Sequence, residues 1–242
     1  MKRIWLFFSM FFVVFGINNV FAQQISIGFG YGMSNAQMTG LKSVNRTTLA
    51  NLPFKAKQVE NFPSAQEYNF EFNASIFKKY SLGVCYNYFS TGSRISSIDY
   101  SGEYRFDNIS TNTSYGFINK FSIFEAKAFL IQFTAAFGWY KSKFKLTEVL
   151  NLYQTQSNQY ENKFESKGMF IKPGIDILYS FKFIKIGLYG SYYSNTENEI
   201  SLSRNNSLKL VVPNTNHKVK TDWKGFQYGI KFLISSFNSK NK

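Results

Sequence analysis

Between Gly168 and Ser194 the side chains change character at every residue, a periodicity of two that belongs to extended chain and not to a helix. Met169, Ile171, Pro173, Ile175, Ile177 and Tyr179 fall on one face, with Phe170, Lys172, Gly174, Asp176, Leu178 and Ser180 on the other. After Phe181-Lys182 the pattern restarts, setting Ile184, Ile186, Leu188, Gly190 and Tyr192 against Lys185, Gly187, Tyr189 and Ser191. Two such runs joined by a short break make a hairpin. One face of each run is apolar and aromatic while the other carries glycine, lysine and aspartate. Each run also reaches the roughly 9 to 11 residues that a tilted strand needs to cross a bilayer. The stretch predicts a membrane hairpin.

The same alternation recurs along the chain. A first strand runs from Gln24 to Met33, with Ile25, Ile27, Phe29, Tyr31 and Met33 opposite a face almost bare of side chains at Gly28, Gly30 and Gly32. A second sets Tyr68, Phe70, Phe72, Ala74 and Ile76 against Glu67, Asn69, Glu71, Asn73 and Ser75. After Lys78-Lys79, a third sets Leu82, Val84, Tyr86 and Tyr88 against Ser81, Gly83, Cys85 and Asn87. The fourth carries Tyr115, Phe117, Phe121 and Ile123; its alternation slips after Phe124, which puts a turn near Glu125 to Lys127. The fifth, Ile131 to Tyr140, continues through Lys141, Lys143 and Lys145. The hairpin above supplies the sixth and seventh, and Gly225 to Ile234 the eighth. Alternation is lost in Ser34 to Gln66, Ser93 to Asn112, Thr147 to Lys167 and Asn195 to Asp222. These read as four long loops, with the strand flanks of the second extending into it. Long connections therefore follow strands one, three, five and seven, and short ones follow two, four and six.

Ahead of the first strand, Lys2-Arg3 precedes an apolar run from Ile4 to Gly16, and Val20-Phe21-Ala22 precedes Gln23. That is the pattern of a secretory signal over 1–22, too short for a spanning helix, and it leaves 23–242 as one barrel domain. Without Lys2 and Arg3 the chain holds 26 basic against 14 acidic side chains. No run of five or more basic residues interrupts the strands, so the balance points to anionic lipid or polysaccharide and away from nucleic acid. Cys85 is the single cysteine, which excludes an internal disulfide; on the small polar face it reads as a packed thiol. The pattern as a whole predicts an all-β fold, an eight-stranded antiparallel up-and-down transmembrane β-barrel.

With its signal, eight alternating segments, aromatic face and final aromatic strand, the chain resembles the porin-like, small eight-stranded outer-membrane β-barrel proteins of Bacteroidetes-type Gram-negative bacteria. The resemblance covers the mature chain and rests on pattern, not on a sequence-specific motif. It implies a monomer in the outer membrane, with termini periplasmic and long loops extracellular. The terminal aromatic expected of such barrels departs from the pattern here, since Phe237 is out of step with Phe226 to Ile234 and a tail, Asn238 to Lys242, follows it.

An eight-stranded barrel is just wide enough for side chains to fill. Glu67, Glu71, Lys120, Lys172, Asp176, Lys185 and Lys231 all fall on the expected inner faces, four cations against three acids. Buried charges must pair, so these residues predict a salt-bridged filling; a narrow porin-like path for small solutes is the alternative. A secreted lipocalin-like binding barrel is a second alternative, having the same strand count with its apolar side inside. Periodicity does not separate the two orientations, but the bare glycine face, the aromatic apolar face and the loops gathered at one end favour lipid outside. Small barrels of this size also include lipid A acylases and deacylases, whose chemistry needs a nucleophile held against a base. The only histidine, His217, has no serine within two residues and no carboxylate nearer than Asp222, so no catalytic residue is expected. One histidine and one cysteine do not make a metal site, and no cofactor is implied. In the first loop Lys42, Arg46, Lys55 and Lys57 face the single acid Glu60, a charge that suits lipopolysaccharide or another anionic surface partner.

Overall fold

The computed structural model describes residues 24–126, 128–153 and 156–236; the expected signal at 1–22 and the chain from Phe237 onward lie outside them. Eight strands form a closed ring: β1 (Gln24–Ala36), β3 (Ala65–Phe77), β4 (Tyr80–Ile98), β5 (Gly102–Ala126), β6 (Phe129–Leu152), β7 (Gln156–Phe181), β8 (Ile184–Asn195) and β11 (Gly225–Ser235). Each pairs antiparallel with its neighbours in chain order, and β11 closes on β1. The remaining elements are helix α1 (Thr39–Asn51) and the short strands β2 (Lys57–Asn61), β9 (Ser201–Leu202) and β10 (Asn205–Lys209).

Register fixes the tilt. One row of partners runs from Ile177 through Leu188, Ile230, Tyr31, Tyr68, Tyr88, Thr113 and Lys141 to Lys167, returning to β7 ten residues from its start. A stagger of this size over eight strands requires them to lean about 35–45° from the barrel axis. Both ends of the chain and the turns at Lys78-Lys79 and Lys182-Phe183 gather at one rim, here the turn end; the opposite rim is the loop end.

Outside, every strand contributes to one apolar belt: Phe29, Phe72, Val84, Phe117, Phe137, Ile175, Leu188 and Ile230 are all exposed, one from each of the eight. Once the stagger of a little over one residue per strand is allowed for, Tyr68, Tyr88, Tyr115, Trp139, Tyr192 and Phe226 form an aromatic ring on the loop side of the belt. The polar faces point inward, where Glu67, Glu71, Asn87, Lys120, Lys172, Asp176 and Lys231 are buried. This orientation overturns the lipocalin-like alternative, which needs the reverse.

Three expectations about the connections need correction. The slip after Phe124 is a β-bulge: β5 and β6 shift register between Ser122 and Phe124, so Ile123 and Phe124 both face outward. The strand therefore runs on to Ala126, inside the stretch where the turn was expected, and the next strand begins at Phe129. The second and third long loops are instead continuous hairpins. β4 and β5 stay paired to Ile98 and Glu103, and β6 and β7 to Leu152 and Gln156. Beyond the belt the outward face meets water while the inward face buries Asn108, Ser110, Asn112 and Ser142, so polar side chains stand on both sides and the alternation fades although the ladder persists. The strict rhythm of long and short connections thus reduces to two long segments, after β1 and after β8.

Those two segments are also not bare loops. Within the first, α1 carries Leu41, Val44 and Asn45 as its buried side. Thr39, Gly40, Thr47 and Thr48 give it poor intrinsic propensity. Contacts with the second long segment hold it instead. Met38 N–H donates to the Asp222 carbonyl at 3.1 Å and the Thr39 hydroxyl to the Asp222 carboxylate at 2.8 Å. Gly40 permits the approach, since a Cβ there would stand 2.9 Å from a Val219 methyl.

Candidate functional site

The lumen is packed in layers. At the turn end Leu130, Leu178 and Leu233 form an apolar seal. Above it lies a four-charge cluster: Lys231 Nζ is 2.7 Å from Asp176 Oδ2 and 3.4 Å from Glu71 Oε2, while Lys120 pairs with Glu71 and approaches Asp176 at 3.8 Å. The next layer joins Lys172 to Glu67 at 2.6 Å and to Asn87 Oδ1 at 3.1 Å. Asn87 also accepts from Asn69 and donates to Ser114 at 3.2 Å. Between the two layers the Tyr189 ring takes Lys231 at 5.4 Å and Lys172 at 5.7 Å from its centroid, both within cation–π distance.

That ring explains part of the bare face of the first strand; at Gly28 a Cβ would instead meet the Glu71 side chain at 2.5 Å and Leu233 at 2.7 Å. A Cβ at Gly32 would stand 2.6 Å from the Tyr189 hydroxyl, and one at Gly229 would stand 2.9 Å from its ring edge. Glycine on β1 and β11 is the bed for a tyrosine that packs between two lysines.

Six of the seven expected lumen residues therefore come together, three cations with three acids. Lys185 does not join them. It is half-buried at the turn-end rim and forms no ion pair among the described residues, so the expected surplus cation is not in the cluster. Periodicity could not reveal this, because it gives a residue's face and not its depth.

Toward the loop end the filling turns aromatic. Phe170 stacks on Tyr193 at 5.3 Å between centroids, Phe89 meets Tyr193 edge-on at 5.1 Å, and Trp223 packs on Phe89. Their polar atoms are satisfied in a chain: Trp223 Nε1 donates to Ser142, Ser142 to Asn112, and Asn112 to the Tyr193 hydroxyl, at 3.0, 2.8 and 3.1 Å. Met38, Leu41 and Val44 close the mouth above them, with Val219. An internal void of about 20 Å³ between Cys85, Lys172, Tyr189 and Lys231 is of the size that holds a single water. Cys85 is a free, buried thiol on its wall.

The expected surface cations are split by the fold. Lys42 and Arg46 lie on α1, whereas Lys55 lies in the segment that follows and Lys57 begins β2. None of the four forms an ion pair among the described residues. His217 is exposed, its backbone tied into a turn by Val212 and Thr215. Among the described residues no group of His, Cys, Asp and Glu is arranged to hold a metal ion.

A second cluster of charges, read from the sequence only as a lysine continuation and a polar loop, stands on the outward face of β6 and β7. Lys141 and Lys167 flank Glu165 at 2.8 and 3.3 Å, and Lys145 and Lys163 flank Glu161 at 2.7 and 3.0 Å. Hydrogen bonds from Lys145 and then Lys163 hold the Glu161 carboxyl below the usual carboxylate range, and Lys141 foremost does the same for Glu165.

No protein-family model and no curated protein matches the chain. Among solved structures it is similar to Ail, the attachment invasion locus protein of Yersinia pestis, at 14% identity and TM-score 0.34 over 88% of this chain and 95% of that one. A structure of Ail in complex with the heparin analogue sucrose octasulfate gives 12% identity and TM-score 0.34 over the same shares. The transport unit of the autotransporter AIDA-I from Escherichia coli gives 9% and 0.20, over 88% of this chain and 90% of that one. Scores this low carry no argument. The class, a closed eight-stranded barrel with its apolar side outward and its charges inside, rests on the strand pairing and burial described above.

Proposed function

We propose that the chain is an integral outer-membrane barrel of the porin-like kind, exported by its first 22 residues, monomeric, closed along its lumen and acting by binding at its loop end instead of by catalysis. The observation that carries this reading is the belt. Large exposed apolar side chains encircle the whole barrel without a gap, whereas a soluble monomer rarely exposes a contiguous patch beyond a few hundred Å². Only a closed barrel satisfies every backbone group of a sheet in hydrocarbon. Heat-dependent gel mobility together with membrane fractionation tests it. The folded protein is expected to migrate faster before boiling and to remain with the membrane; a freely soluble, unshifted protein would end the reading.

The packed lumen supports a closed barrel over the narrow porin-like path. Planar-bilayer recordings are expected to show no stable openings. Openings whose size responds to Lys172→Ala would restore the channel.

At the loop end, Lys42, Arg46, Lys55 and Lys57 supply unpaired positive charge around the mouth for lipopolysaccharide or another anionic surface partner. Changing all four to glutamine is expected to lower lipopolysaccharide binding at low salt, where charges are least screened, and to leave the heat shift intact. Unchanged binding would assign these side chains to solvation.

A further inference from the structure

The outward face of β6 and β7 changes chemistry at Trp139 and Met169. The next outward positions toward the loop end are Lys141 and Lys167, directly opposed across the two strands; then come Lys143 opposite Glu165, and Lys145 opposite Lys163. Glu161 follows, opposite Thr147. Two of these direct cross-strand pairs are therefore lysine against lysine, an arrangement that destabilises a sheet unless something neutralises it. The protein supplies only Glu161 and Glu165, each shared between two lysines. Lys143 is exposed and forms no ion pair among the described residues. Five cations against two carboxylates leave the strip three charges in surplus.

Its position identifies what makes up the deficit. Tyrosine and tryptophan rings settle where hydrocarbon meets headgroups, and Tyr115 and Trp139 are neighbours in that ring here. Successive outward positions on a tilted strand rise about 5 Å along the barrel axis. Lys141 and Lys167 then stand about 5 Å above the ring, inside a headgroup layer roughly 5–8 Å deep, with Lys143 about 10 Å and Lys145 and Lys163 about 15 Å above the ring on its outer, water-facing side. We infer that this lysine strip is a clamp for phosphate-bearing lipid headgroups at the loop-side edge of the belt. The inference rests on the membrane reading. An ammonium can reach each phosphate from either strand, and the shared glutamates hold the lysine ends apart and limit how many anions enter.

The test uses the full chain refolded into phosphatidylcholine vesicles, with or without bisphosphorylated lipid A, and reads lipid A bound per protein by titration and native mass spectrometry. Wild type is expected to retain lipid A over phosphatidylcholine. Changing Lys141, Lys143, Lys145, Lys163 and Lys167 together to glutamine is expected to weaken retention by about tenfold or more, given the attraction of each cation near an anionic surface. The same five changed to arginine should keep it, and Glu165→Gln, which releases two lysines, should strengthen it. The pairs Lys141→Gln with Lys167→Gln and Lys145→Gln with Lys163→Gln, each one half-buried and one exposed position, give partial losses should the fivefold variant fold poorly. Retention unchanged in the glutamine variants of a properly inserted barrel overturns the clamp alone. So does equal competition by soluble pyrophosphate, which would mark a free-anion site. A wild-type chain that gains no protease-protected core in phosphatidylcholine overturns the membrane reading, and the clamp falls with it.

Discussion

Replacing Lys231 with alanine is expected to cost about 3–5 kcal/mol of folding stability, among the largest losses any single change in this chain should produce. Lys231 lies between Asp176 and Glu71, and with Lys120 the four groups are electrically balanced and all buried. Removing the lysine leaves two carboxylates with one cation, away from bulk water, and no rotamer change can bring another cation to them. Lys185 is the remaining lysine expected on the inner faces, but it sits at the rim with β8 only beginning there. Alanine also strips the Tyr189 ring of one of its two cations. Urea titration of the protein refolded in detergent micelles measures the loss. A paired variant, Lys231→Met with Asp176→Asn, restores neutrality around Glu71 and Lys120. It should be less damaging than Lys231→Met alone, by an interaction energy within the usual range of about 0.5–3 kcal/mol for residues in one network. A single-variant loss below about 1 kcal/mol would mean that water reaches the cluster and that the lumen is not closed around it.

How far the sequence revealed this arrangement depended on whether a residue's role follows from its face alone. All eight barrel strands were legible because, inside the belt, one side of each strand meets an apolar surround and the other a crowded interior, and that contrast prints a period of two. The same logic placed Glu67, Glu71, Lys120, Lys172, Asp176 and Lys231 inside. Past the belt the contrast disappears. The outer halves of β5, β6 and β7 are ordinary antiparallel ladder with polar side chains on both faces, so Asn108, Ser110 and Asn112 read as loop although all three are buried. Helix α1 was illegible for another reason: its stability is tertiary. A run with several threonines and a glycine earns its helix from Asp222 and Val219, which lie about 180 residues further along the chain.

Depth was the other hidden variable. Lys185 and Lys231 look alike in sequence, each a lysine among alternating apolar residues, yet one is at the rim and the other at the centre of a charge cluster. The barrel's stagger decides between them, and stagger is a property of the closed ring. Lys141 and Lys167 show the same dependence. They are far apart in the chain and become direct partners only because β6 and β7 pair along their full length. Tyr189 was placed on the inner face with the lysine and glycine positions of its strand, but its seat over Gly229, its partner on β11, and Gly32, next to that on β1, exists only in the register of the closed ring.

The membrane reading makes a second large prediction, one that no soluble barrel would share. Ile175 lies on the outward face of β7, midway between Met169 and Phe181, and is about half exposed. In water, changing an exposed isoleucine to arginine alters stability by about 0.5 kcal/mol or less in either direction. At the midplane of a bilayer the same change places a guanidinium in hydrocarbon, and in transmembrane barrels it costs about 2–4 kcal/mol, falling to about 0–1 kcal/mol near the interfaces. Ile175→Arg should therefore lose several times more stability than Met169→Arg at the edge of the belt. Tyr160→Arg, on the hairpin beyond it, should lose almost nothing, although all three side chains are comparably exposed. Ile175→Leu serves as the packing control and should be close to neutral. Refolding titrations in phospholipid vesicles give the gradient, and repeating them in short-chain detergent should flatten it, because an arginine can reach water around a micelle with little effort. A flat profile in vesicles, with Ile175→Arg no worse than Tyr160→Arg, would show that water surrounds the belt. The barrel would then need a protein partner, not lipid, to cover it.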